Sequence, residues 1–173
     1  MKILYFIIIL LCSNSCKKTG QSKDIDKKLE ELVLSEESIG KEFFTKIELN
    51  KGILEYKMIY LGSIYNLENG KIRFIYSTTY TGIHENSKKA NSIIAIYNNS
   101  DRLGQYYVGG GFNKTPIVIK DEIVISYNDD NCKSVTNLKF DKNIPKKIFI
   151  KCSKKNGQFF GDIYNFEEEL KQK

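Results

Sequence analysis

His84 stands directly before Glu85, and an imidazole beside a carboxylate is in outline a general acid–base pair. A hydrolase built on it needs a nucleophile from elsewhere, and no G-x-S-x-G elbow or comparable motif occurs in the chain. His84 is the only histidine, which excludes a multi-histidine metal centre. The ordinary reading is a solvated loop residue in Thr81-Gly82-Ile83-His84-Glu85-Asn86. Gly109, Gly110 and Gly111, followed by Phe112, Asn113 and Lys114, have the look of a phosphate loop. Such a cradle requires a helix N-terminus after the glycines and a Lys-Ser/Thr pair. Thr115-Pro116 and a strand-like run follow instead, so the glycines are expected to mark a bulge or bend. If the domain contacts a ligand or partner, His84, Gly109, Gly110, Gly111 and Asn113 are its candidate surface.

Two further groups could carry chemistry. Asn128, Asp129, Asp130 and Asn131 form an oxygen-rich turn, but the glycine and distal glutamate of a calcium loop are missing. A polar turn is expected there, and neither a metal nor a cofactor. Tyr56, Tyr60, Tyr65, Tyr76 and Tyr80 could stack sugars or bases, and ordinary strand packing accounts for them equally well.

Cys132 and Cys152 constrain the fold more tightly. Residues 134–140 and 146–152 read as the arms of a hairpin with its turn over 141–145. Centred on Lys142, that hairpin places the two cysteines equally far from the turn, as cross-strand partners. Period-two alternation puts Cys132 on the face of Leu138 and Phe140, and Cys152 on that of Ile148 and Ile150. In an oxidising compartment a structural disulfide is expected, worth roughly 3 kcal/mol for a loop of this size. A redox pair, which usually has closer spacing, and two free thiols are the alternatives.

The elements that position these residues are mostly strands. The chain has 173 residues, enough for one domain, with 41% hydrophobic and 28% charged residues, so it can bury a core. Aromatics reach 12% without any Trp, which favours strands. Strand-like runs cover residues 42–49, 53–65, 71–80, 91–97, 103–112, 116–120, 122–127, 134–140, 146–152 and 159–166, separated by turn signals such as Asn50-Lys51-Gly52 and Glu68-Asn69-Gly70. This pattern predicts an all-β antiparallel meander forming a barrel or sandwich. Before it, Ile25, Leu29, Leu32 and Val33 share one face of a short N-terminal helix over 24–34, which Ser22 could cap.

Ile3 opens an unbroken apolar run of nine residues after Lys2, too short to span a bilayer, which needs about 20, but of the size of a signal-peptide core. Cys12, Ser13, Asn14, Ser15 and Cys16 follow, then Lys17-Lys18-Thr19-Gly20. Small residues ending in Cys after such a run resemble a bacterial lipoprotein signal. The resemblance makes Cys16 the lipidated first mature residue, although Ser13 stands where the family has Leu. Cys12 is the weaker match, because Leu10-Leu11 precede it. The plain alternative is an ordinary secretory signal cut near Ser15. The expected organisation is then a lipoprotein signal peptide over 1–15, a lipidated tether over 16–23 and a single mainly-β domain over 24–173. The net charge falls from +6 to +5, because Lys2 leaves with the leader. For an exported chain this balance reads as a lysine-rich surface near anionic lipid, not as nucleic-acid binding. Lys17 and Lys18 after the lipid site favour the outer membrane under the enterobacterial sorting rule.

The tyrosine strand Leu103-Gly104-Gln105-Tyr106-Tyr107-Val108, the cysteines Cys132 and Cys152, and the closing Gly161-Asp162-Ile163-Tyr164 are similar to small lipoproteins of Flavobacteria and other Bacteroidota. That group brings no catalytic or binding residues with it. The sequence therefore leads to a non-enzymatic, lipid-anchored β-domain of the cell envelope that binds a protein partner. One concrete form is an immunity-type protein that occludes a toxin. A small-ligand-binding barrel is the second expectation, and a hydrolase using His84 the third.

Overall fold

The computed structural model describes residues 18–169 apart from 50–51, 129–131 and 154–158. The expected leader, the expected lipidation site Cys16 and most of the 128–131 turn lie outside the described residues. A helix, α1 (Lys18–Glu36), precedes ten strands: β1 (Glu42–Leu49), β2 (Gly52–Asn66), β3 (Gly70–Gly82), β4 (Lys89–Asn98), β5 (Asp101–Gly109), β6 (Ile117–Ile119), β7 (Glu122–Asn128), β8 (Lys133–Lys139), β9 (Lys147–Ser153) and β10 (Phe159–Glu168). Every expected strand is present. All the strand ladders are antiparallel, in a seven-stranded sheet ordered β1-β2-β3-β4-β5-β10-β9 and a three-stranded sheet ordered β6-β7-β8.

The large sheet does not close, which corrects the barrel half of the expectation. Its two faces each carry an apolar row, because successive strand residues point to opposite sides. The inner row (Ile59, Ile72, Phe74, Ile94, Ile96 and Tyr106 among others) packs against Ile123, Ile125, Leu138 and Phe140 of the small sheet and its flank. The outer row (Phe43, Met58, Tyr60, Ile75, Ala95, Tyr97) packs against Val33 and Leu34 of α1. Here the second sheet buries one face and the helix the other, while β1 and β9 remain the two ends of the large sheet. At Gly62, beside a bulge in β2, an added Cβ would lie 3.3 Å from Val118, so the missing side chain is what lets β6 lie close on β2.

The helix differs from expectation in extent and face. It starts at Lys18, so the segment read as a tether is helical from there on. Leu34 is buried in place of Leu32, which is 45% exposed. Asp26 and Glu30 fall on the same helical stripe as Val33 and Leu34. At the C-terminal end, Arg73 donates from Nη1 to the Leu34 carbonyl at 3.1 Å and to Glu37 at 3.0 Å, satisfying a carbonyl the helix leaves unpaired.

The hairpin expected over 134–152 is not formed. β8 pairs with β7, and β9 pairs with β10, so Cys132 and Cys152 belong to different sheets. The connection between β8 and β9 crosses between layers. Asn66 Nδ2 donates to the Phe140 carbonyl at 2.6 Å, Leu67 N–H to the Asp141 carbonyl at 2.8 Å, and the Tyr106 hydroxyl to the Pro145 carbonyl at 2.5 Å. These bonds draw the segment around the β2–β3 turn and leave no tight hairpin. The disulfide itself is present, with 5.2 Å between the Cα atoms and both cysteines buried as the alternation predicted. It staples the edge of the small sheet to the edge of the large one. Beside it the Ser134 hydroxyl donates to the Lys151 carbonyl at 2.5 Å, and Lys151 N–H donates to Thr136 Oγ1 at 3.1 Å. Two side chains thus fill the place of a main-chain ladder.

Candidate functional site

The expected surface residues come together at one end of the large sheet. Thr81 pairs with Lys89, and Ser92 with Gly109, so the β3–β4 loop holding His84 and the glycine run after β5 leave the sheet at the same end. His84 and Asn113 are both exposed there. His84 opens a single 3-10 turn over Glu85–Ser87, whose Ser87 hydroxyl donates to the His84 carbonyl at 3.1 Å.

Four charged side chains brace this loop. Lys46 on β1 meets Glu85 at 2.5 Å, Lys88 meets Glu55 at 2.8 Å and also contacts Glu85, and Lys46 lies 4.0 Å from Glu55. Glu55 is 7% exposed, and its strand register places it opposite Lys46 and Tyr80 on the inner face. Hydrogen bonds from Lys46 and Lys88 hold the Glu85 carboxyl down at about 2. Hydrogen bonds to carboxylates raise both lysines, Lys46 through Glu85 and Lys88 through Glu55 first. The Glu85 carboxylate is therefore committed to two ammonium groups, and His84 stands exposed in the loop, as the ordinary reading of the sequence has it.

The glycine run is seated on a polar patch of the inner face. Ser92 is fully buried and shares a 2.8 Å hydrogen bond with Thr78. The Phe112 N–H donates to the Tyr76 hydroxyl at 3.0 Å, and the two rings stack with centroids 5.8 Å apart. Gly111 has φ of 100°, and a Cβ there would lie 2.8 Å from both Ser92 Oγ and Tyr76 Oη. Both the left-handed backbone and the close approach require glycine. The run is thus a bend that carries the chain from the large sheet to the small one, as its sequence context predicted. The next described element after it is a strand, so the geometry of a phosphate cradle does not arise.

The tyrosines are divided between environments. Tyr56, Tyr60 and Tyr76 are buried, Tyr65 is 69% exposed, and Tyr60 and Tyr76 belong to opposite faces. They form no shared stacking platform. Among the described residues no group of three His, Cys, Asp or Glu side chains could hold a metal ion. The space between the sheets is filled by Phe74, Phe140 and Tyr106, with Phe74 and Phe140 edge to face at 5.0 Å.

Sequence reasoning missed a second charged cluster, where α1 crosses the sheet. Arg102 on β5 meets Glu30 at 3.0 Å and Gln105 at 2.5 Å, and its guanidinium lies 6.0 Å from the Tyr97 ring centroid. Burial pushes the Glu30 and Asp26 carboxyls up, and Arg102 opposes it in both cases. Burial also raises the Tyr97 hydroxyl, with Glu30 adding to the effect. The available signal was the spacing of Asp26 and Glu30 with Leu34, which marks carboxylates on a buried helical stripe.

Comparison with protein-family models, with curated proteins and with solved structures finds no match for this chain. Among the described residues no helix is long and apolar enough to cross a membrane.

Proposed function

We propose that this chain is a lipid-anchored binding module of the cell envelope that presents a surface to a protein partner and is attached through Cys16. The likeness of residues 1–16 to a lipoprotein signal supports the anchor. The observation that supports the binding role is the polarity of the large sheet. Helix α1, which begins two residues after Cys16, crosses the sheet over the row formed by Arg73, Tyr97 and Arg102. The braced loops lie at the other end of the strands, where Lys89 opens β4; Tyr97 to Lys89 spans about 26 Å at the usual strand rise. An anchor at α1 therefore leaves His84, the glycine run and Asn113 at the end remote from it, on a rigid scaffold with exposed Ile83 beside them. A toxin neutralised at the envelope is one partner of this kind. The filled core and open sheet favour a surface-binding role over a ligand held inside a barrel.

Photo-crosslinking in the native envelope tests this reading. A crosslinking amino acid at His84 or Asn113 is expected to give the same adduct, and one at Tyr65, at the opposite end of the strands, is expected to give none. Adducts equally frequent from all three positions, or absent from His84 and Asn113, would overturn it.

A further inference from the structure

We propose that the open edge of β1 pairs with β1 of a second copy of this chain, antiparallel and centred on Phe44. Among the described residues β1 is the terminal strand of the large sheet and pairs with β2 alone. Exposed edges are usually blunted by proline, a bulge, short length or charged side chains; β1 carries only the last of these, and its charges are of both signs, Glu42 and Glu48 with Lys46. β1 has eight residues, no proline and an unbroken register with β2 from Glu42 to Leu49. Alternate residues turn their N–H and C=O groups to the open side, as in any antiparallel strand.

The side chains favour one register: an axis at Ile47 also sets Lys46 opposite Glu48 but joins residues 45–49 and leaves Phe44 unpaired, whereas an axis at Phe44 pairs both the charges and the phenyl rings. Glu42, Phe44, Lys46 and Glu48 share the inner face, since Glu42 lies opposite Ile59 and Lys46 opposite Glu55. Phe44 is 60% exposed. A two-fold axis at Phe44 sets the two phenyl rings side by side and places Glu42 of each copy opposite Lys46 of the other. Moving the axis to Thr45 sets Glu42 opposite Glu48, and moving it to Lys46 sets lysine against lysine. Axes between residues put inner-face side chains opposite outer-face ones. Lys46 keeps donors for both Glu85 and the second copy's Glu42, because an ammonium carries three N–H groups, and Glu42, which meets Lys57 of its own chain at 2.5 Å through one oxygen, keeps the other as an acceptor.

The axis runs perpendicular to the joined sheet, so both α1 helices lie on the same face. Two lipids at Cys16 would then enter one membrane, whose confinement raises the local concentration of pairing edges. This membrane component rests on the anchor proposed above; the edge pairing does not.

Disulfide trapping on the full-length, processed chain tests the pairing. Phe44→Cys is expected to give a covalent dimer under mild oxidation, and Tyr65→Cys, equally exposed but remote, is expected to give none. In sedimentation velocity, Glu42→Lys is expected to weaken self-association at least tenfold. Circular dichroism verifies that each variant is folded, and Phe44→Lys provides a second disruption that leaves the Lys46–Glu85 contact in place. A monomeric wild type, trapping no greater at Phe44 than at Tyr65, or association unchanged by both Glu42→Lys and Phe44→Lys overturns the proposal. Repeating the trapping in cells with Cys16→Ala separates the readings: less dimer without acylation supports the membrane component, and an equal yield removes only that component.

Discussion

Lys46 on β1 and Glu85 in the turn after β3 meet at 2.5 Å although 39 residues separate them. The contact fastens the loop that carries His84 to the outermost strand of the sheet. With Lys88 and the buried Glu55 it completes a network in which each carboxylate faces two ammonium groups. Exposed pairs contribute little stability singly, so the network acts chiefly by fixing where the loop sits.

Glu85 is expected to titrate at about 2, well below the ordinary 4.5. A depressed carboxyl contributes above its unfolded value and loses that contribution as pH falls through the folded one. Loop order should therefore persist at pH 5 and decline between about 4.5 and 2. Carbon-detected NMR of the Glu85 carboxyl reads this directly. Lys46→Met removes its largest hydrogen bond and should move the midpoint toward 4.5; an unchanged midpoint would show that Lys46 is not its partner.

Glu30 has the opposite sign. Its carboxyl is raised by burial above 4.5, so the folded protein takes up a proton before the unfolded chain does. Its contribution to stability is complete below 4.5 and is lost as pH rises through the folded value. Glu30→Gln retains an acceptor for Arg102 and removes the titration. The Tm of the wild type minus that of the variant should grow as pH is lowered toward 4.5 and level off below it, followed by differential scanning calorimetry. A flat difference would contradict the burial.

Opening the Cys132–Cys152 bridge removes a loop constraint of 20 residues and is expected to cost about 3 kcal/mol in urea unfolding. The double change Cys132→Ser with Cys152→Ser avoids stray thiol chemistry. Because β8 and β9 share only side-chain bonds beside the bridge, amide exchange should rise first along these two edges. Uniform faster exchange across the large sheet would show that the bridge does not act locally.

Gly111→Ala and Gly110→Ala separate a required glycine from a tolerated one. At Gly111 the new methyl meets Ser92 Oγ and Tyr76 Oη at 2.8 Å in a left-handed backbone, and the cost is expected at about 1–3 kcal/mol. At Gly110 the nearest atom is the Ala90 carbonyl oxygen at 4.0 Å, and stability should change little. Equal losses at both sites would contradict the seating of the bend.

All ten strands were legible because period-two runs bounded by turn residues are local signals. The helix was legible in its apolar stripe, but the buried setting of Glu30 was not, because its partner Arg102 lies far along the chain. The cysteine pairing was legible, but its setting was not. Cys132 and Cys152 fit a hairpin by symmetry, whereas the connection is held by Asn66 and Tyr106, whose reach across layers no local pattern encodes. The surface residues His84 and Gly111 were singled out by type. That they share one end of the sheet follows from strand register, and that Glu85 belongs to Lys46 and Lys88 follows from tertiary contact.

Attachment at Cys16 is the premise of both the partner surface and its orientation. Metabolic labelling with alkynyl palmitate, followed by mass spectrometry of the mature N-terminal peptide, measures it. The predicted result is an acylated chain beginning at Cys16, with label lost in Cys16→Ala. An unlabelled mature chain, or one beginning at another residue, would contradict it.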